Sequence, residues 1–240
     1  MKKCVVVTGG VRGIGREISM KFSDAGYQVF ATYKNNKNAA NKLESESKGL
    51  IKPFSVNNTD IRAIESFKSL VLETGIPAIL INNAGMTEDG LLVDNGIQRI
   101  SECMNNNFMG TVNFSLVFLD EMMKQREGNI INISSSAAHK IKLGNTAYGC
   151  SKIAIERFSK GLAKEMGRFN IFVNCVAPGW VETDMFNNFA GSLRREILKD
   201  IPTRKILKPE EIAQIVFDLA MRRINTTGSV LTIGNGEQII

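Results

Sequence analysis

Seven short apolar runs, separated for most of the chain by stretches with helical spacing, constrain this chain more than any other feature. The runs are residues 4–7, 28–32, 51–56, 78–81, 129–134, 171–176 and 229–233. The helix-like stretches are 13–25, 36–46, 60–73, 97–125, 147–167 and 209–221. Cys4-Val-Val-Val7 and Ala78-Ile-Leu-Ile81 are apolar throughout rather than alternating. That is the pattern of strands covered on both faces, as in a parallel sheet sandwiched by helices. Alternating strands and helices with right-handed crossovers predict an α/β fold with a doubly wound, seven-stranded parallel sheet. No Pro-, Ser- or Gly-rich linker divides the 240 residues, so one domain over 1–240 is expected. In such sheets ligands bind beyond the carboxyl ends of the strands. Residues 179–208 interrupt the rhythm at that edge, carrying Trp180, Met185, Phe186 and Phe189 and a short helix near 192–199. An excursion of this length predicts a lid over the site, around residues 180–208.

Several function classes are disfavoured early. The longest apolar runs are strand-sized, far below the ~20 residues of a membrane span, and too few apolar residues follow Lys2 and Lys3 for a signal peptide. Cys4, Cys103, Cys150 and Cys175 are widely spaced, which argues against disulfides and zinc and for a cytoplasmic location. His139 is the single histidine, which leaves no His-based metal site and no Ser-His-Asp triad; it reads as a surface loop residue. The net charge of +6 comes without a dense basic stripe or aromatic platforms, so nucleic acid is not expected. Such a charge does suit an anionic ligand: a phosphorylated cofactor, coenzyme A or an acidic carrier protein.

Between the first run and the first helix lies Thr8-Gly9-Gly10-Val11-Arg12-Gly13-Ile14-Gly15. Gly9 allows the tight turn, while Gly13 and Gly15 clear side chains from the path of a pyrophosphate approaching the helix amino end. This loop makes the fold Rossmann-like. NAD enzymes usually place an acid at the end of the second strand to accept from the ribose 2′-hydroxyl. Here that stretch reads Thr32-Tyr33-Lys34-Asn35, without an acid. Lys34 and Arg12 instead suit a 2′-phosphate, so NADPH is the expected cofactor.

Tyr148 and Lys152 lie four residues apart on the expected helix 147–167, hence on one face. An ammonium beside a phenol favours the phenolate, so the pair predicts a Tyr148 pKa lowered from about 10. Such a tyrosine can give a proton to a carbonyl oxygen or take one from an alcohol.

Taken in order, these motifs resemble the short-chain dehydrogenase/reductase family over nearly the whole chain. Thr8–Gly15 is similar to its TGxxxGxG loop, Asn82-Asn83-Ala84-Gly85 to its NNAG motif, and Tyr148-Gly-Cys-Ser-Lys152 to its YxxxK. Asn107, in Asn107-Phe-Met-Gly110, resembles the catalytic asparagine, and Pro178-Gly179 with Val181 and Thr183 the stretch beside the nicotinamide. Ser134, Ser135 and Ser136 are consecutive; the family's spacing to the tyrosine selects Ser135. The resemblance implies that Tyr148 donates the proton, Lys152 lowers its pKa and binds the nicotinamide ribose, and Ser135 holds the reacting oxygen. Asn107 would hold a water in a relay to Lys152. Asn57 stands where an adenine-binding acid is common.

Within the family the chain most resembles bacterial 3-oxoacyl-[acyl-carrier-protein] reductases, over residues 82–92, 176–185 and 201–212. This implies NADPH-dependent reduction of a 3-oxoacyl thioester to the (3R)-3-hydroxyacyl thioester in fatty acid biosynthesis. An acetoacetyl-CoA reductase, a reductase of a sugar, quinone or other small carbonyl, and an inactive NADP-binding scaffold remain the alternatives. Arg126 and Arg168 fall near positions that dock the acidic carrier in those enzymes, whereas Glu88 replaces a basic residue. The family also implies a homotetramer through helices 97–125 and 147–167, with Phe108, Phe114, Phe118, Ile155 and Phe158 as candidate interface or core residues.

Overall fold

The computed structural model describes residues 2–184, 186–187 and 191–236. Seven strands form one parallel sheet: β1 (Lys2–Val7), β2 (Gln28–Tyr33), β3 (Ile51–Ser55), β4 (Gly75–Asn82), β5 (Gly128–Ile133), β6 (Ile171–Pro178) and β7 (Val230–Ile233). Their order is 3-2-1-4-5-6-7, so the chain winds outward from β1 in one direction and from β4 in the other. The crevice between the carboxyl ends of β1 and β4 is the topological switch point, where such sheets bind ligands.

Helices cover both faces, as the unbroken apolar runs require. In β1, Val5 and Val7 join Ile18 and Phe22 of α1 (Gly13–Asp24) and Ile212 and Val216 of α8 (Pro209–Ala220). Cys4 and Val6 point the other way, onto Ile64 and Phe67 of α3 (Ile61–Thr74) and Phe114 and Phe118 of α5 (Gly110–Gln125). The two-residue period of a strand thus sends successive apolar side chains into two separate cores. On the first face α2 (Lys37–Glu46) adds Ala40 and Leu43; on the second α6 (Thr146–Met166) adds Leu162 and Ala163.

The expected helix 97–125 is not continuous. It divides into α4 (Gly96–Cys103), a π-helical turn Met104–Met109, and α5. The wider turn accommodates a buried Asn107, whose side chain bonds out of the helix. Gly110 closes the turn because a Cβ there would lie 2.4 Å from Asn58 Nδ2. Asn58 Nδ2 in turn donates to Asn106 O at 2.7 Å.

In the expected lid, a short turn Gly191–Leu193 leads into α7 (Arg194–Asp200). Phe186, Ile197 and Ile201 are buried together against Trp180 and Ile206, apart from both sheet cores. The rings of Trp180 and Phe186 meet edge to face at 5.6 Å. Met185 and Phe189 lie outside the described residues. No helix among the described residues is long and apolar enough to cross a membrane.

Candidate active site

The glycine loop and the end of β4 are tied together. Thr8 Oγ1 accepts from the backbone N–H of Asn83 and of Ala84, each at 3.0 Å. Asn83 Nδ2 donates to the carbonyls of Thr8 and Gly9 at 3.1 Å. Gly9 and Gly13 adopt φ of +62° and +51°, which glycine takes at no steric cost. The reason for Gly15 differs from the expected one. A Cβ there would lie 2.2 Å from Gly9 O and 2.4 Å from Asn83 Nδ2, so this glycine admits the protein's own loop rather than a ligand. Gly13 does face outward, and the nearest atom to a Cβ on it is Thr183 Cγ2 at 3.3 Å. Thr183 therefore overhangs the loop. Pro178 ends β6, Gly179 N donates to Ile233 O at 2.7 Å, and Val181 bridges Leu207.

Three features fit a dinucleotide. Asn36 and Asp60 cap α2 and α3 with their side chains, whereas α1 has no side-chain cap at Arg12, so its first-turn N–H donors are not taken by a cap. The end of β2 carries no acid: Tyr33 is partly buried and Lys34 exposed. Arg12 is exposed too, and among the described residues neither cation forms an ion pair. Ile14 opens the helix beside them. Asn57 Oδ1 is engaged by Thr59 N at 3.3 Å and Thr59 Oγ1 at 3.0 Å, an Asx turn that occupies part of the amide expected to face adenine.

Asn107, Ser135, Tyr148 and Lys152 converge beside the carboxyl ends of β4 and β5. Ser135 faces the Tyr148 hydroxyl closely enough to draw its pKa down. Ser135 Oγ also accepts from Ala137 N at 3.2 Å. Lys152 is buried; its Nζ donates to Ile133 O at 2.9 Å and lies 5.5 Å from the centre of the Tyr148 ring. Asn107 Oδ1 accepts from Met86 N at 2.8 Å, and its Nδ2 donates to Met86 O and Ser151 Oγ, both at 2.9 Å. Both of its N–H groups are thus spent on holding the β4 loop to α6, which leaves only a lone pair on Oδ1 for the expected water relay. A Cβ on Gly85 would lie 3.4 Å from both Asn107 Oδ1 and Lys152 Nζ, so this glycine keeps the space between them open.

The electrostatics reverse the expectation for Tyr148. Burial pushes its pKa up to about 12, and Asp89 and Cys103 push the same way; the Ser135 hydrogen bond opposes them. Lys152 does not offset this, because its ammonium is turned to a carbonyl and is itself buried. Loss of hydration brings the Lys152 pKa down to about 8. Sequence spacing says nothing of hydration, and at this site desolvation outweighs proximity. The result is a tyrosine kept protonated, the form that can donate to a carbonyl oxygen.

Three further observations lay beyond sequence reasoning. Asn82 Nδ2 donates to Asn132 Oδ1 at 2.8 Å and to Ser115 Oγ at 3.0 Å, and Asn132 Nδ2 donates to Ser159 Oγ at 2.8 Å. This polar rung joins β4 and β5 to α5 and α6 beneath the site. An open surface groove of ≈ 380 Å³, lined by Asp89, Leu91, Lys142, Leu143 and Asn145 with both leucines exposed, lies at the start of α6. Lys142 Nζ sits 5.0 Å above the Trp180 ring, linking that groove to the expected lid. Conversely, Arg126 and Arg168 are not at the site: they precede β5 and β6, at the opposite edge of the sheet, where Arg126 Nη2 donates to Arg168 O at 3.0 Å.

A doubly wound sheet with a serine, a tyrosine and a buried lysine at its carboxyl edge, beside an uncapped glycine loop, defines a nucleotide-dependent oxidoreductase. The sequence profile of the family described as short chain dehydrogenase matches residues 3–192, and the chain belongs to that family. The 3-oxoacyl-[acyl-carrier-protein] reductase FabG of Chlamydia muridarum is 36% identical, with 98% of this chain and 97% of the relative covered. The protein of that name from Thermotoga maritima is 35% identical, again over 98% and 97%. Carbonyl reductase family member 4 of Xenopus laevis is also 35% identical, over 100% of this chain and 99% of the relative. A putative gluconate dehydrogenase structure from Agrobacterium tumefaciens superposes with a TM-score of 0.92 at 20% identity, covering 99% of this chain and 96% of that one, which shows a shared fold. The protein is therefore an oxidoreductase of this family, similar over nearly its whole length to 3-oxoacyl-[acyl-carrier-protein] reductases, and the family implies a nicotinamide cofactor.

Proposed function

We propose that the protein uses NADPH to reduce a 3-oxoacyl thioester carried on acyl carrier protein to the (3R)-3-hydroxyacyl thioester, as a step of fatty acid biosynthesis. The observation that carries the reading is buried Lys152, its Nζ 5.5 Å from the Tyr148 ring with Ser135 beside that tyrosine, in a chain that aligns end to end with reductases named for that substrate. When bound, the cofactor supplies hydride to the carbonyl carbon. Tyr148 gives its phenolic proton to the carbonyl oxygen, which Ser135 Oγ orients. The tyrosinate left behind takes a proton from the Lys152 ammonium, and Lys152 regains one from water through the gap that Gly85 keeps open beside Asn107. Thr8, Gly9, Gly13, Ile14 and Gly15 cradle the pyrophosphate, with Asn83, Ala84 and Gly85 bordering the cofactor. Pro178, Gly179, Val181 and Thr183 flank the nicotinamide, and Tyr33 and Asn57 flank the adenosine. Arg12 and Lys34 hold the 2′-phosphate, and the segment 180–208 acts as the lid. Leu91 and Leu143 in the groove suit an acyl chain.

A CoA thioester is the second reading. It is favoured by the place of Arg126 and Arg168, which within one chain cannot guide a carrier to the site, and by Glu88, which pairs with Arg99 at 3.9 Å. A homotetramer fits the outer faces around α5 and α6, where Met109, Leu116 and Ile153 are exposed; Phe114, Phe118 and Ile155 belong to the monomer core instead.

Purified protein offered NADPH with acetoacetyl-carrier protein, acetoacetyl-CoA and a sugar and quinone panel is expected to oxidise NADPH fastest with a thioester. No turnover with either thioester sinks the reading. Tyr148→Phe is expected to lose at least about 100-fold in kcat with cofactor binding kept. Arg12→Ala and Lys34→Ala are expected to raise KM for NADPH and leave that for NADH unchanged.

A further inference from the structure

The buried carboxylate of Glu156 has no part in the scheme above. It is 2% exposed, and each of its oxygens has one partner. Ser134 Oγ donates to Oε1 at 2.9 Å, and His139 Nε2 lies 2.8 Å from Oε2. Serine, histidine and glutamate together suggest a hydrolytic triad, but the connectivity excludes one. In a triad the imidazole stands between hydroxyl and acid; here the acid stands between them, and Ser134 is 3% exposed.

What the carboxylate does touch is both ends of the segment that carries Ser135. Ser134 precedes it, and Lys152 O, 3.2 Å from its Oγ, is the alternative acceptor for the same hydroxyl proton. His139 ends the single 3-10 turn Ser136–Ala138 that follows it. That turn is stiff, with Ala138 N donating to Ser135 O and His139 N to Ser136 O, both at 3.0 Å. It is also pressed onto α6: a Cβ on Gly149 would lie 2.7 Å from Ala137 O. Tyr148, Lys152 and Glu156 sit at i, i+4 and i+8 on α6 and so share one face.

We propose that Glu156 and His139 are positioning residues that fix Ser135 against Tyr148 by clamping the serine segment to the helix that carries the tyrosine. Ser135 and Tyr148 then hang from one rigid element, which Ser134 N also ties to β6 by donating to Val176 O at 2.7 Å. A buried carboxylate needs a compensating donor on each oxygen, and Ser134 and His139 supply them. His139 side chain is 50% exposed, so water takes its place at Oε2 when it is removed.

The inference rests on the reading of Ser135 and Tyr148 as the reacting pair, so the test separates the two. His139→Ala, His139→Gln, Glu156→Gln and Tyr148→Phe would be assayed for NADPH-dependent reduction of acetoacetyl-CoA, for NADPH affinity by fluorescence and for amide exchange of residues 134–140. His139→Ala is expected to lose about tenfold in kcat, with NADPH affinity and melting temperature nearly unchanged and faster exchange in that segment. His139→Gln, whose amide reaches the same oxygen, is expected to recover most of kcat. If His139→Ala and Glu156→Gln both keep wild-type kcat and exchange while Tyr148→Phe is inactive, the clamp is overturned and the site reading stands. A loss of NADPH affinity and melting temperature in step with kcat would make the pair a fold element, which also overturns it. Full activity in Tyr148→Phe would overturn both readings, whatever the exchange shows.

Discussion

Lys152 shows how far a single residue departs from its sequence reading. Spacing placed it beside Tyr148, and the structure does bring the two together, yet burial rather than proximity sets both pKa values. Spacing carries no information about hydration, so this part of the site was not legible. It has a measurable sign. As pH rises through about 8 the folded chain gives up the Lys152 proton, whereas the unfolded chain keeps it until near 10.5. The unfolded state binds more protons in that window, so this residue makes stability rise from pH 8 towards 10.5. Activity moves the opposite way. Tyr148 stays protonated through the same range, so kcat/KM for carbonyl reduction is expected to fall once, centred near pH 8, as the ammonium is lost. A profile flat to pH 10 would separate Lys152 from the proton transfer. Ser135 was legible by spacing from Tyr148. Glu156 was not, because a lone glutamate on a helix ordinarily reads as a solvated charge.

At the scale of elements, the strands were legible to within three residues at either end, since apolar runs bounded by polar turns leave little choice. The break between α4 and α5 was invisible, because Met104-Asn-Asn-Asn-Phe-Met109 keeps helical composition and only side-chain bonding to Met86 and Asn58 decides the π turn. Gly110 reports on it directly. Alanine in place of glycine normally stabilises a helix by about 1 kcal/mol. Here the new methyl would strike Asn58 and break its bond to Asn106, a cost of about 1–3 kcal/mol for overpacking and a lost hydrogen bond. Gly110→Ala is therefore expected to destabilise, measured as a lower urea midpoint with unchanged slope. A raised midpoint would mean that Asn58 gives way without consequence.

The whole molecule places its chemistry at the carboxyl edge of the sheet and Arg126 and Arg168 at the other. Arg126 and Arg168 fall near carrier-docking positions of related reductases, yet within one chain they lie at the starts of β5 and β6, because a parallel sheet separates the two ends of every strand. The six residues of β5 put about 20 Å between its ends. The polar rung beneath the site bears on a different matter. Because both faces of the sheet are apolar, sliding Ile79-Leu80-Ile81 along Asn129-Ile130-Ile131 would bury nearly the same oily surface at several offsets. Hydrophobicity is then almost blind to alignment. Asn82 lies opposite Asn132, and any other offset strands two buried amides. One pair of side chains thus acts as the pawl of a ratchet, letting the central strands come to rest in a single alignment.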